Sequence, residues 1–225
     1  LTAFANFVDT LRLAADEGDR SRQIHCHWTV MSGSGQPVVA SCGVSVSPDA
    51  GLLDPRAFHY IVVVGGLLHR GEQIDAHTAA YLRRAAEAGT PLIGVCTGSF
   101  ILTRLGLLEG RKVCVSWYHR DDYIEEFGGT PIADRLYVID ADRITCSGGA
   151  GVVDLAAALV EKHVGSQAAT KSLNVLLHYE GLMLLQRNLG HANLGPRRLR
   201  VLFGIVGVLL MHAIEILLFA CGYAV

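Results

Sequence analysis

The chain has 225 residues with 19 basic and 21 acidic side chains, a formal net charge of −2 at pH 7. This balance excludes the broad basic surface of a protein that binds nucleic acid along its whole length, and the length accommodates one full α/β domain with a small appendage. The six cysteines form no CxxC pair and no zinc-type spacing, so we expect free thiols in a reducing, cytoplasmic compartment. The N-terminus carries a helical pattern instead of a signal peptide.

Apolar periodicity predicts strands that alternate with helices along most of the chain. The predicted strands cover residues 24–31, parts of 37–46, 59–64, 92–95, 113–115, 136–139 and 143–146. The predicted helices cover residues 4–15, 74–88, 99–108, 121–127, 152–163 and 167–178. This alternation is typical of an α/β fold with a mostly parallel sheet covered by helices on both faces.

Three predicted strands end in small residues that suit a ligand site. They are followed by Gly65-Gly66, by Cys96-Thr97 and by Ser147-Gly148-Gly149. Ligands of such sheets bind beyond the carboxyl ends of the strands, where these segments are expected to converge. Glycine backbone at Gly65 and Gly66 would let N–H groups approach a bound oxyanion or carboxylate, the alternative being only a tight turn.

Cys96 is the strongest candidate for chemistry. It lies between a buried strand and the small residues that open a helix, which is the cysteine counterpart of a nucleophile elbow. The positive end of the helix dipole favours a thiolate there. Two interpretations remain open: Cys96 lines a ligand pocket, or it is a catalytic nucleophile.

The last 25 residues, 201–225, are almost entirely apolar and contain only His212 and Glu215 as ionisable side chains. As a helix they would span about 37 Å, enough to cross a bilayer core of about 30 Å. The preceding segment, 182–200, is expected to be a linker, and its arginines predict a cytoplasmic N-terminal side and an inner-membrane anchor. The alternative is a buried apolar helix.

Five segments carry a family resemblance: GVCTGSF at 94–100, GLLEG at 106–110, SWYH at 116–119, TCSGGAG at 145–151 and DLA at 154–156. In combination they resemble the ThiJ/PfpI superfamily, whose fold is class I glutamine amidotransferase-like. The similarity covers roughly residues 1–180. It is strongest to the N-terminal sensor domain of AraC-type transcription regulators.

This resemblance implies a flavodoxin-like three-layer sandwich, a homodimer, and a small-molecule pocket with Cys96 at its floor. It divides the chain into a domain at 1–181, with its first strand missing, the linker at 182–200 and the apolar segment at 201–225. In the regulators a helix-turn-helix domain follows the sensor domain. That domain is absent from this chain, so DNA would be contacted only through it.

The chain departs from the catalytic members of the superfamily near the thiol. Thr97 stands where hydrolytic members have a histidine base, and a threonine cannot accept a proton near neutral pH. Isocyanide-hydrating members do carry Cys-Thr-Gly, but they also use an acidic residue at the position of Ala3. Many members have a histidine where Ser116 stands. His119 could still reach the pocket, although it could equally be a surface histidine.

No cofactor and no metal is expected from the sequence. His25 and His27 would share one strand face, but no third ligand accompanies them. Ser147-Gly148-Gly149 before a helix could hold a phosphate or could simply form a loop. The predicted ligand-binding residues are Gly65, Gly66, Cys96, Thr97, Ser116, His119, Gly148 and Gly149.

The resulting hypothesis is a non-catalytic sensing domain of an AraC-type regulator, with Cys96 in its pocket. Two rivals from other classes stand beside it. One is a cysteine-dependent hydratase or hydrolase, which needs an acid or base within hydrogen-bond reach of the sulfur. The other is a membrane-anchored module that begins at residue 201.

Overall fold

A computed structural model of the chain describes residues 1–16, 18, 20–69, 73–149, 151–173, 181, 205–210 and 213–214. Two compact units are present. The first comprises Leu1–Val8 and Trp28–Leu155, and the second comprises Asp9–His27 and Ala156–Val225. The predicted linker at 182–200 lies outside the described residues.

Strands and helices alternate along most of the described chain, as predicted. The strands are β1 (Val38–Val39), β2 (Ser45–Val46), β3 (Ile61–Val64), β4 (Leu92–Val95), β5 (Tyr137–Asp140) and β6 (Arg143–Cys146). The α-helices are α1 (Thr2–Ala15), α2 (Ala76–Glu87), α3 (Gly98–Arg104), α4 (Arg120–Glu126) and α5 (Gly151–His163). Residues 166–173 are also helical, which agrees with the first part of the helix predicted at 167–178; residues 174–178 lie outside the description.

The main sheet has the order β3-β4-β6-β5 and is mostly parallel. β4 pairs in parallel with β3 on one side and with β6 on the other, and only β5 runs antiparallel. All four residues of β4 are buried, as expected for a strand enclosed by neighbours and covered on both faces. β1 and β2 form a separate antiparallel pair.

One face of the sheet is covered by a continuous apolar core. Side chains from β3 and β4 pack there with the buried faces of α2 and α3 and with Tyr123 of α4. Phe100 packs edge-on against Tyr123, with ring centroids 5.0 Å apart. The strand before the turn at Cys96 and the helix after it are therefore both packed into this core.

The second unit has its own small core, in which Ala14, Val160 and Ala169 pack together. Asp16 is its main polar anchor. It accepts hydrogen bonds from the Arg22 side chain and from backbone N–H groups, and these bonds hold the pKa of its carboxyl well below the ordinary range.

Two predicted strands do not form. Residues 24–30 have no strand structure, although their burial alternates in part, and Met31 makes only an isolated bridge to Ala50. Val113 likewise makes a single bridge to Ile132, so the predicted strand at 113–115 is buried but unpaired beyond that bridge. A strand needs a partner for its backbone groups, and neither segment has an extended one among the described residues.

The predicted helix at 99–108 is shorter in the structure. α3 ends at Arg104, and Gly106 takes the left-handed conformation with φ of +75° just beyond it. The predicted membrane span at 201–225 is not found. Residues 205–210 and 213–214 are helical, and no described helix is long and apolar enough to cross a bilayer; the rest of this segment lies outside the description.

Candidate functional site

The register of the sheet brings the three predicted strand ends to one edge. Val64 pairs with Val95, and Val95 pairs with Cys146, so β3, β4 and β6 end level with one another. The residues that follow directly are Gly65, Cys96 and Ser147. The convergence predicted from the sequence is therefore present at the carboxyl edge of the sheet.

Cys96 forms the turn between β4 and α3. Its φ is +57°, a left-handed conformation that few non-glycine residues adopt and that is common at strained functional turns. Its backbone N–H donates to the Cys146 carbonyl at 3.0 Å, and the Ser99 hydroxyl donates to its carbonyl at 3.0 Å. These bonds hold the strained turn in place and leave the thiol half-buried.

Glycines leave the room that this turn needs. A side chain at Gly98 would overlap the Val63 carbonyl, and one at Gly65 would overlap the Gly98 amide and the Thr97 side chain. A Cβ on Gly148 would lie 2.8 Å from the Cys96 Cβ and 3.2 Å from its sulfur. Gly148 therefore forms one wall of the thiol's surroundings. Its φ of +88° also favours glycine.

Thr97 connects the segments that follow β4 and β3 by a hydrogen bond. It is 1% exposed, and its hydroxyl donates to the Gly66 carbonyl at 2.7 Å. The Gly65 N–H is also engaged, since it donates to the Val95 carbonyl at 3.2 Å. The N–H groups of Gly66 and Thr97, by contrast, have no hydrogen-bond partner among the residues that the structure describes.

The 3₁₀ turn Trp117–His119 follows Ser116, whose carbonyl accepts the His119 N–H at 3.0 Å. The His119 ring lies edge-on to Phe100, and its Nδ1 lies 2.9 Å from Asp122 Oδ2. Within the described part of the chain, neither Ser116 nor His119 forms a hydrogen bond with Cys96. A Cys–His dyad is therefore not formed by these residues.

The thiols of Cys146 and Cys114 are not exposed to solvent, since both residues are fully buried. Burial raises the pKa of Cys114 to about 11 and that of Cys146 to about 12; a backbone hydrogen bond from Gly148 opposes the shift at Cys146 only in part. Both stay protonated thiols near neutral pH, so Cys96 is the thiol placed for contact with a ligand at this edge.

Three residues of this region are not among the site residues predicted from the sequence: Gly98, His69 and Asp122. The sequence predicts Gly98 only as part of the start of a helix. Its position two residues after the cysteine is a signal that another backbone segment comes close to it there, and in the structure this segment is Val63. His69 Nε2 lies 3.9 Å from Asp122 Oδ1. Their signals in the sequence are weak: His69 follows Gly65 by four residues, and Asp122 follows His119 by three.

The remaining predicted ligand-binding residue, Gly149, is exposed and has a φ of +58°.

Two relatives are informative about function. The HTH-type transcriptional regulator CdhR of Pseudomonas aeruginosa is 33% identical over 171 residues, covering 75% of this chain and 48% of the regulator. The isonitrile hydratase of Pseudomonas putida is 30% identical over 148 residues, covering 65% of this chain and 62% of the hydratase. The chain thus spans about half the length of the regulators it matches.

Solved structures show the same fold. An AraC family transcriptional regulator from Pseudomonas putida superposes with a TM-score of 0.62 at 23% identity, covering 78% of this chain and 92% of that one. The fold is thus the flavodoxin-like α/β fold expected from the sequence. The sequence profile of the DJ-1/PfpI family matches residues 17–162, and the chain therefore belongs to the DJ-1/PfpI family.

Proposed function

We propose that this chain is the ligand-sensing domain of an AraC-type transcription regulator, and that it binds a small molecule at the Cys96 elbow without converting it. The observation that carries the proposal is that neither Thr97 nor His119 forms a described hydrogen bond with the Cys96 thiol, since both have other partners. Thr97 is the nearer of the two in the chain. Its buried hydroxyl is committed to the Gly66 carbonyl at 2.7 Å, so it positions the loop and does not move protons. The elbow thus keeps Cys96 in a strained backbone conformation, while the Thr97 side chain beside it holds the loop in position.

The missing proton-handling groups also support a binding role. The position at which catalytic relatives are expected to carry an acid holds Ala3, a buried residue of α1. His119 has its Nδ1 2.9 Å from Asp122, and no described hydrogen bond joins it to the thiol. A cysteine without an adjacent acid or base is a weak catalyst for adding water or for hydrolysis.

The backbone donors at this edge indicate the chemistry of the ligand. The amides of Gly66 and Thr97 have no protein acceptor among the described residues, and both flank the elbow. In a nucleophile elbow, the amide after the nucleophile is one of the donors that hold an oxyanion. We therefore propose a ligand with a carboxylate or carbonyl oxygen, placed between these amides with its apolar part near Cys96 and Gly148.

Alkylation of Cys96 tests this binding proposal, with Cys42 as a control in the same chain because it is exposed. The purified protein is treated with iodoacetamide in the presence of each member of a panel of small carboxylic acids, matched with the corresponding alcohols. We expect at least one acid to slow labelling of Cys96 by tenfold or more, with Cys42 unchanged and the matched alcohol ineffective. A panel that protects neither thiol, or both equally, contradicts the proposal.

The regulator part of the proposal concerns DNA and a second copy of the chain. DNA would be contacted through a separate helix-turn-helix domain, since the relatives CdhR and GbdR are HTH-type transcriptional regulators. We also propose a homodimer, since Trp117 and Tyr118 are 83% and 73% exposed and such aromatic pairs are enriched at interfaces. Sedimentation equilibrium should give a dimer that Trp117→Ser weakens; a monomer at all concentrations refutes this.

A hydratase is the second candidate, favoured by the Cys96-Thr97-Gly98 sequence and by the similarity to an isonitrile hydratase. Such an enzyme adds water to an isonitrile R–N≡C and releases the formamide R–NH–CHO. Cyclohexyl isocyanide incubated with the wild-type chain and with Cys96→Ala distinguishes the two functions. We expect no formamide above the level of the variant. Turnover that depends on Cys96 would replace sensing by catalysis.

A further inference from the structure

A cluster of three metal-ligating side chains lies beside the elbow and has no part in the proposed sensing. His69 lies in the loop after β3, His119 ends the 3₁₀ turn, and Asp122 lies in the first turn of α4. One ligand atom from each of the three lies within 4.8 Å of the other two. No other such group of three occurs among the described residues.

Aromatic packing and helix α4 hold two of the three side chains in place. The His119 side chain is 21% exposed; its ring packs edge-on against Phe100 at 6.3 Å and against Tyr118 at 5.0 Å. Asp122 is anchored on α4, three residues further along. His69 is 76% exposed and its Nε2 faces the second oxygen of the same carboxylate. Two ligands are thus preorganised, while the third can adjust at low cost.

The distances are close to those of a bound metal ion. Ligand atoms that share a tetrahedral Zn²⁺ at about 2.0–2.1 Å lie about 3.3 Å from one another. Here His119 Nδ1 lies 2.9 Å from Asp122 Oδ2, and His69 Nε2 lies 3.9 Å from Oδ1, the other oxygen of the same carboxylate. One ligand atom from each residue lies within 4.8 Å of the other two, and rotation of the exposed His69 side chain would bring the three closer around an ion.

We propose that His69, His119 and Asp122 bind a divalent transition-metal ion of the Zn²⁺ type. Imidazole nitrogens with one carboxylate suit zinc and its first-row neighbours and disfavour Mg²⁺ and Ca²⁺. Three protein ligands leave a fourth position open to water or to a small anion. This site goes beyond the sensing proposal and does not depend on it. It was missed in the sequence because residues 69 and 119 are 50 positions apart.

Zinc titration of the purified chain tests the site, with His69→Ala as the main variant. His69 is exposed, so its loss is not expected to disturb folding, which circular dichroism checks. The matched control is His77→Ala, which removes an exposed histidine on α2 that is not a member of the cluster. We expect one Zn²⁺ per chain in the wild type and the control, and at least a tenfold weaker dissociation constant in His69→Ala and in Asp122→Asn. Mg²⁺ should not compete.

X-ray absorption of the zinc-loaded chain gives a second measurement, independent of the variants. We expect only nitrogen and oxygen neighbours at about 2.0–2.1 Å. A sulfur shell at about 2.3 Å would place the ion on cysteines and overturn the proposal. Equal zinc affinity of the wild type, His69→Ala and His77→Ala would also overturn it and would leave the cluster as a surface hydrogen-bond network only. Neither result bears on protection of Cys96 by a carboxylic acid.

Discussion

Replacing Gly148 by alanine tests how tightly the chain is built around Cys96. The new Cβ would lie 2.8 Å from the Cys96 Cβ, 3.2 Å from its Cα and 3.2 Å from its sulfur. Gly149 is the matched control, because it also has a positive φ, +58°, and an added Cβ there would meet nothing within 4 Å. The two substitutions therefore share the backbone cost and differ in the contact with the thiol.

The expected magnitudes follow from these two terms. A left-handed conformation costs an alanine about 1–2 kcal/mol, and the stiffer unfolded chain returns about 0.4–1 kcal/mol, so Gly149→Ala should lose about 1 kcal/mol. Gly148→Ala carries a similar cost plus overlap with the elbow, and overpacking costs about 1–3 kcal/mol. We therefore expect Gly148→Ala to lose about 2–4 kcal/mol of unfolding free energy.

Urea unfolding of both variants measures the difference, and the iodoacetamide labelling rate of Cys96 reports on the elbow directly. Labelling should change in Gly148→Ala and remain at the wild-type rate in Gly149→Ala. Cys96→Gly removes two of the three atoms that the new Cβ would meet, the Cβ and the sulfur, and leaves only the Cα at 3.2 Å, so the double variant should recover at least about 1 kcal/mol relative to additivity. Equal destabilisation by the two alanines, or strict additivity of the pair, would refute this account of the site.

Three further predictions concern substitutions at single interactions. Thr97→Val removes the buried hydroxyl's bond to a backbone carbonyl and should cost about 1 kcal/mol, whereas Thr97→Ser should retain most of it; equal losses in thermal unfolding would contradict this. Tyr123→Phe breaks a 2.6 Å bond with Thr103 and should cost about 1 kcal/mol, while Tyr81→Phe should change stability by less than about 0.5 kcal/mol, because the Tyr81 hydroxyl has no partner among the described residues. Burial raises the pKa of Cys146 from 9.0 to about 12, so its contribution is complete below pH 9 and declines above it as the unfolded chain ionises first, by about 1.4 kcal/mol between pH 8 and 10. Urea unfolding of Cys146→Ala should show a correspondingly smaller loss over that range, and an unchanged loss would contradict the assignment.

Local pattern sufficed for much of the fold and for the core of the candidate site. The buried run of β4 and the alternation of strands with helices predict a mostly parallel sheet, because parallel strands joined by helices have both faces of their sheet covered. The convergence of Gly65, Cys96 and Gly148 follows from the same inference, since the carboxyl ends of parallel strands share one edge.

The tertiary structure decided whatever depends on a partner. Residues 24–30 have a strand-like pattern but pair with no strand in the part of the chain that the structure describes, and no local signal reports whether a neighbour is present. The Thr97 hydroxyl could have faced the thiol's surroundings; only the approach of Gly66 shows that it is already used. The cluster of His69 with His119 exists only because two segments 50 residues apart in the chain come close together in the fold.

The sequence by itself thus determined the α/β alternation, the position of Cys96 on a sharp turn after β4, and the lack of a base beside it. These properties depend on residue type and short spacing. The tertiary structure alone decided that the turn has a positive φ and that Gly148 packs against the thiol. It also decided that the Thr97 hydroxyl is hydrogen-bonded to the Gly66 carbonyl. Such properties depend on atoms from segments 30 to 50 residues apart, whose distance is set by the packing of the sheet and not by any local pattern.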